Sequence, residues 1–142
     1  MATDVVQRFV EATVSILRAN TTIQGLLGRT TGMVRAWGDI AEAQLPVIAY
    51  LMVVAGRGGP VGDTRRVQIQ FSALVEGDGA AAKCNALLEA LELALTQPLY
   101  AAAGLDAAPI PGASTRLPGD VEREGPRSLW RADVDMEFMV TK

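Results

Sequence analysis

The sequence predicts an α+β fold: an antiparallel β-sheet of about four to five strands with two main helices packed on one face, in the order α-β-β-β-α-β-β. Three observations carry this expectation. Two stretches, Asp4 to Asn20 and Ala80 to Thr96, repeat apolar residues with the helical period. Two others, Arg66 to Glu76 and Trp130 to Thr141, alternate apolar and polar residues. The connections are short and rich in glycine, which favours antiparallel neighbours. With 142 residues the chain is long enough for one domain, 1–142, with its own core.

Asp4 precedes a stripe of Val6, Phe9, Val10, Thr13 and Leu17, with Gln7, Arg8, Glu11, Ser15 and Arg18 largely opposite. Thr3 or Asp4 is placed to accept from the open N–H groups of the first turn. The helix should stop near Asn20. Asn20-Thr21-Thr22 matches a glycosylation sequon, but it reads as the turn that closes this helix. A short turn over Thr22 to Leu27 is closed by Gly28. Met33 to Trp37 reads as a short strand, broken by Gly38 and Asp39. Pro46 opens Val47 to Val54, a run apolar on both faces, which suits a strand covered on both sides by helices or by another subunit.

A glycine-rich loop follows over Ala55 to Asp63. In the next strand Val67, Ile69, Phe71, Ala73 and Val75 point one way, and Gly77-Asp78-Gly79 ends it. The helix from Ala80 to Thr96 carries Ala81, Cys84, Leu88, Leu91 and Leu95 on one stripe, with Pro98 just beyond as a stop. Ala108 to Leu117 reads as a further strand that Pro109 and Pro111 confine to an edge or whose start they delay. Pro118 to Ser128 reads as a charged loop. In the last strand Trp130, Ala132, Val134, Met136, Phe138 and Val140 face inward, and Arg131, Asp133, Asp135, Glu137 and Thr141 outward.

The chemistry is bounded by what is missing. There is no histidine, so His-based triads, His general bases and His-containing zinc sites are excluded. One cysteine makes neither an intrachain disulfide nor a four-cysteine metal site. Cys84 lies on an apolar stripe, the usual setting of a structural thiol. The serines lack a Ser-x-x-Lys partner, and Lys83 and Lys142 are the two lysines. A formal charge of −3 disfavours binding driven by phosphate neutralisation. The expectation is a protein that is not an enzyme and uses no cofactor. The first residues lack the pattern of a signal peptide, and the apolar run Leu45 to Ala55 is too short to span a bilayer. The chain therefore reads as soluble and intracellular, with no membrane partner.

Two places remain as candidate sites. The loop Arg57, Gly58, Gly59, Pro60 and Val61 superficially suggests a phosphate cradle. It has no lysine, however, and leads into a strand instead of a helix, so it reads as a projecting hairpin tip. Asp133, Asp135 and Glu137 share one face of the last strand, with neighbours roughly 6.6 Å apart. Such a row suits a hard cation or paired carboxylates, or else a solvated face partly balanced by Arg131 and a neighbouring strand. Trp37 and Trp130 are read as packing residues.

One resemblance covers nearly the whole chain. The N-terminal amphipathic helix, the short strand, Leu45-Pro46-Val47-Ile48-Ala49-Tyr50, the glycine loop, Arg66-Val67-Gln68-Ile69-Gln70-Phe71, the alanine- and leucine-rich helix and Trp130-Arg131-Ala132-Asp133-Val134-Asp135-Met136-Glu137-Phe138 occur in an order that resembles the tail-terminator (tail-completion, head–tail joining) proteins of long-tailed bacteriophages and gene transfer agents. The segment 98 to 128 is more elaborate than that pattern. The resemblance implies a virion protein of the tail–neck region, assembled in the bacterial host cytoplasm. It would form a homo-oligomeric, usually hexameric, ring on the head-proximal end of the tail tube. Its partners would be the tail tube protein and the head connector or stopper, with genomic DNA passing through the lumen unread.

A compact chain of this length has a radius of gyration of roughly 14–15 Å, so six copies in a touching ring leave a hole wide enough for a duplex. On this reading Arg57 to Val61 contacts the tube or a neighbouring ring, and Asp133, Asp135 and Glu137 face the lumen. The alternatives are another neck or head-completion connector protein, and a small ligand-binding or enzymatic α+β domain.

Overall fold

The computed structural model describes residues 4–31, 33–38, 45–57, 64–123 and 129–141. The elements run α1 (Val5–Ala19), α2 (Thr21–Leu27), β1 (Val34–Ala36), β2 (Val47–Arg57), β3 (Thr64–Glu76), α3 (Ala80–Ala94), α4 (Gln97–Ala102), β4 (Asp106–Pro109), β5 (Thr115–Arg123) and β6 (Leu129–Thr141). One sheet of six strands has the order β1-β2-β3-β6-β4, with β5 also paired to β6. Both long helices pack on one face of it, as the periodicities predict, and the core lies between.

The helix ends follow from their sequences. The Asp4 side chain accepts from the Val6 N–H at 3.1 Å and caps α1. Asn20 ends α1 and begins α2: its N–H bonds to the Leu17 carbonyl at 3.3 Å, while its side chain accepts from the Ile23 N–H at 3.0 Å. The segment expected to be a turn is therefore a helix of two turns, closed by Gly28 at φ 74°. Likewise Pro98 does not merely stop α3. It sits in the first turn of α4, where its missing N–H costs nothing.

The sheet departs from expectation in three respects. It has six strands, and β1 runs parallel to β2, pairing Val34 with Ile48 and Ala36 with Tyr50. The edge strand is also longer and interrupted. Asp106–Pro109 pairs with Phe138–Thr141, and Thr115–Arg123 pairs farther along the same strand with Leu129–Asp135. Thus β4 and β5 are two segments of one edge, both antiparallel to β6, separated at Pro111-Gly112. The prolines do confine this strand to an edge, since Pro lacks the N–H that an interior strand needs on both sides. Part of the expected 118–128 loop is strand, and Gly119 shows why. A Cβ built there would lie 2.5 Å from Trp130 Nε1, so β5 approaches Trp130 as only glycine allows. Gly119→Ala is expected to cost about 1–3 kcal/mol as Trp130 is displaced, read as a lower denaturation midpoint.

At the centre of the core, Phe9 stacks on Tyr100 at 5.2 Å between centroids and meets Phe138 at 5.0 Å, all three fully buried. Thr13 donates to the Phe9 carbonyl at 2.8 Å, so the Tyr100 hydroxyl, 2.7 Å away, donates to Thr13 Oγ1. Burial raises the Tyr100 pKa above its ordinary value. Burial pushes the Cys84 thiol up to about 11. Both groups keep their protons in the fold at pH values where the unfolded chain has lost them. The unfolded state then binds fewer protons, so stability falls as pH rises, from about pH 8.5 through Cys84 and from about pH 10 through Tyr100. Urea melts at rising pH should show this decline, and Cys84→Ala should remove its earlier part.

Candidate functional site

The face of the sheet turned away from the helices is built in rows. Ala49, Ser72, Asp133 and Leu117 lie side by side on β2, β3, β6 and β5; Leu51, Gln70, Asp135 and Thr115 form the next row. Gln68 lies beside Glu137 in the row after. Period-two alternation on β6 puts all three carboxylates on this face because Ala132, Val134, Met136 and Phe138 are claimed by the core.

The row is not a uniform anionic strip. Arg131 Nε donates to Asp133 Oδ1 at 3.0 Å, and the same guanidinium lies 4.7 Å from the Trp37 ring centroid. Arg66, reaching across from β3, donates to Glu137 through Nε at 3.1 Å and also through Nη2. The countercharge thus comes from the same strand and from its neighbour. Each pair is partly exposed, and each is worth about 0.2–1 kcal/mol. Asp135 differs: its Oδ1 is buried and has no hydrogen-bond partner among the described residues. Ser72 Oγ and Arg35 Nε, on the same sheet, are buried and unpartnered in the same sense. Among the described residues no three His, Cys, Asp or Glu side chains converge as a metal site would require.

One end of this face is covered. Val47, Ala49 and Leu74 are buried in a second, small apolar cluster against Trp37, Leu45 and Leu129. The stretch of β2 beyond Tyr50 is not. Leu51, Met52 and Val53 are 48%, 45% and 49% exposed. The expectation that the run is covered on both sides therefore holds within this chain for Val47 to Ala49 and fails at Leu51 to Val53. The signal was present as an apolar run without alternation. Its failure to find a cover in the monomer was not legible.

Of the predicted loop, Arg57 is the last residue of β2, in register with Arg65, whereas Gly58, Gly59, Pro60 and Val61 lie outside the described residues. On the helical side an open groove of about 500 Å³ runs between α1 and α4, lined by Ile16, Ala19, Leu99 and Ala102 with Ser15, Asn20 and Thr21 at its polar end. The Asn20 side chain is already committed to capping α2. Among the described residues no helix is long and apolar enough to cross a membrane.

No protein-family model matches this sequence, and no curated protein sequence matches it. Among solved structures, a chain from the virion of a native gene transfer agent particle is similar, with a TM-score of 0.66 and 16% identity. The likeness spans 99% of this chain and 100% of that one, so the two share a fold from end to end.

Proposed function

We propose that this chain is a structural virion protein that caps the head-proximal end of a phage-type tail tube as a ring. There it ends tube polymerisation and joins the tail to the head connector while DNA passes. The observation that carries this reading is the end-to-end likeness to a chain of a gene transfer agent virion, joined to the order of elements that resembles tail terminators. The exposed chemistry agrees with it. The middle of this sheet face carries Gln68, Gln70 and three carboxylates, of which Asp133 and Glu137 are matched by arginines, which suits a surface that meets other proteins or DNA without gripping a ligand. The proposed partners are further copies of this chain in a hexamer, the tube protein, the connector or stopper, and passing DNA; the site is the tail–neck region of the virion.

Within this reading Asp133, Asp135 and Glu137 face the lumen, and the loop from Arg57 to Val61 touches the tube or the adjoining ring. Deleting Gly58 to Pro60 is expected to leave the melting curve unchanged and to reduce tail joining; an unchanged yield of infectious particles would count against that contact.

Removing the protein from its source tests the function directly. The expected result is tubes of uncontrolled length that are not joined to heads. Tubes of normal length on closed, joined heads would overturn the proposal. Normal tubes beside heads that leak DNA would favour the head-completion alternative.

A further inference from the structure

β2 pairs with β1 through Ile48, Ala49 and Tyr50. Past Tyr50, no strand among the described residues pairs with that side of β2. Among the described residues Leu51 to Arg57 is therefore an open edge, and it carries three adjoining apolar side chains, Leu51, Met52 and Val53, that are close to half exposed. Soluble proteins normally blunt such edges with proline, charge or bulges. The opposite edge of this sheet is blunted in that way: Pro109 ends β4, Pro118 interrupts β5, and the β5 register slips twice. The β2 edge has one slip, no proline, and no charge before Arg57.

We propose that the Leu51–Arg57 edge of β2 is the docking surface for the β4–β5 edge of a second copy of this chain. Three features favour this occupant. First, β2, β3, β6 and β5 alternate in direction, so β5 is antiparallel to β2. Adding the next copy's β5 to β2 makes one more antiparallel pair, and the step repeats without a conflict of direction. Such a heterologous contact is the kind that closes rings. Second, the apolar side chains match. Leu117, 40% exposed, lies on the same sheet face as Leu51, one row away, so docking brings the two together. Third, the two edges differ in charge at one end: Arg57 and Arg65 are register partners there, with Arg66 beside them held by Glu137, while Asp106, exposed, stands at nearly the same height on the opposite edge, level with Thr64 through Thr141. The regular ladder is short, because Pro118 leaves Thr115 to Leu117 as the uninterrupted part of β5. The leucine contact and the difference in charge therefore supply much of the specificity. The inference deepens the ring reading and rests on it for closure alone.

The test is a cross-link. The full chain carrying Leu51→Cys and Leu117→Cys is treated with a short bis-maleimide, both as purified protein and in assembled particles. Cys84 is buried, so the parent chain serves as the unreactive control. The expected result is a ladder of covalent multimers from the double variant and monomer from each single variant. Adding Val53→Lys should abolish the ladder while the melting curve stays the same. A dimer from Leu51→Cys alone would mean that β2 pairs with itself, and would overturn the proposal. So would the absence of multimers in both preparations. Rings seen by electron microscopy without a ladder would remove this edge assignment and leave the ring reading in place. A ladder from open chains without rings would do the reverse.

Discussion

Phe9→Ala is expected to destabilise the fold by about 3–5 kcal/mol, the usual cost of truncating a fully buried phenylalanine. Few substitutions in this chain should cost more. Phe9 touches both Tyr100 and Phe138, so its ring joins α1, α4 and β6 at one point. Removing it leaves a cavity bordered by two aromatic rings and takes away two ring–ring contacts of about 0.5–1.5 kcal/mol each. It also weakens the reason for α1 to lie across the sheet. Native stabilities are about 5–15 kcal/mol, so the variant should sit near the edge of folding at 37 °C. Chemical denaturation at 25 °C reads the change. A loss below about 1 kcal/mol would mean that α1 is held by something other than this cluster. Tyr100→Phe is the companion measurement, because it keeps the ring and removes the bond to Thr13. It should cost about 0.5–1.5 kcal/mol, well under the loss from Phe9→Ala.

The second large effect concerns the row on β6. Replacing Asp133, Asp135 and Glu137 together with lysine breaks the pairs with Arg131 and Arg66 and sets new cations beside both arginines. The local loss of stability should stay near 1–2 kcal/mol, because the pairs are partly exposed. The functional effect should be larger. If the row lines the lumen, every copy in the ring turns from anionic to cationic there, and the passage begins to hold the duplex that it should release. Purified rings should then retain DNA, with a salt dependence that steepens by about 0.9 for each phosphate engaged. Particles carrying the variant should assemble with normal tails and deliver less DNA. Asp135→Asn separates charge from folding, since it removes one charge without adding a cation. Variant particles that deliver DNA as the parent does would place the row away from the lumen.

Much of the fold was legible because its signals are local. The stripe from Val6 to Leu17 and the alternations from Val67 to Val75 and from Trp130 to Val140 each encode which face meets the core, and Val6, Phe9, Thr13 and Leu17 on α1, Val67, Ile69, Phe71, Ala73 and Val75 on β3, and Ala132, Val134, Met136, Phe138 and Val140 on β6 are buried there. What escaped the reading depends on contacts distant in sequence. Asn20 reads locally as a stop, yet its side chain starts a second helix within the same turn. The segment from 98 to 123 alternates proline, glycine and charge, so it shows no period. Its strand character comes from β6, against which both of its halves are laid. The direction of β1 is likewise set by its pairing with β2 and not by its three residues.

The candidate site divides in the same way. Alternation placed Asp133, Asp135 and Glu137 on one face, but it could not show that Arg66, 71 positions before Glu137, neutralises one end of the row. Nor could it show that Arg131 is held between Asp133 and Trp37. The bare apolar edge at Leu51 to Val53 was visible as composition and invisible as exposure, because exposure depends on where β1 stops.

The most direct test of the whole account is electron microscopy of the tail neck in particles that carry a tagged copy of this chain. The account predicts a six-fold ring at the head-proximal end of the tube, with the outer face of β6 toward the axis and β2 of each copy against the β4–β5 edge of the next. Tag density elsewhere in the particle, or particles that lack the chain altogether, would contradict it.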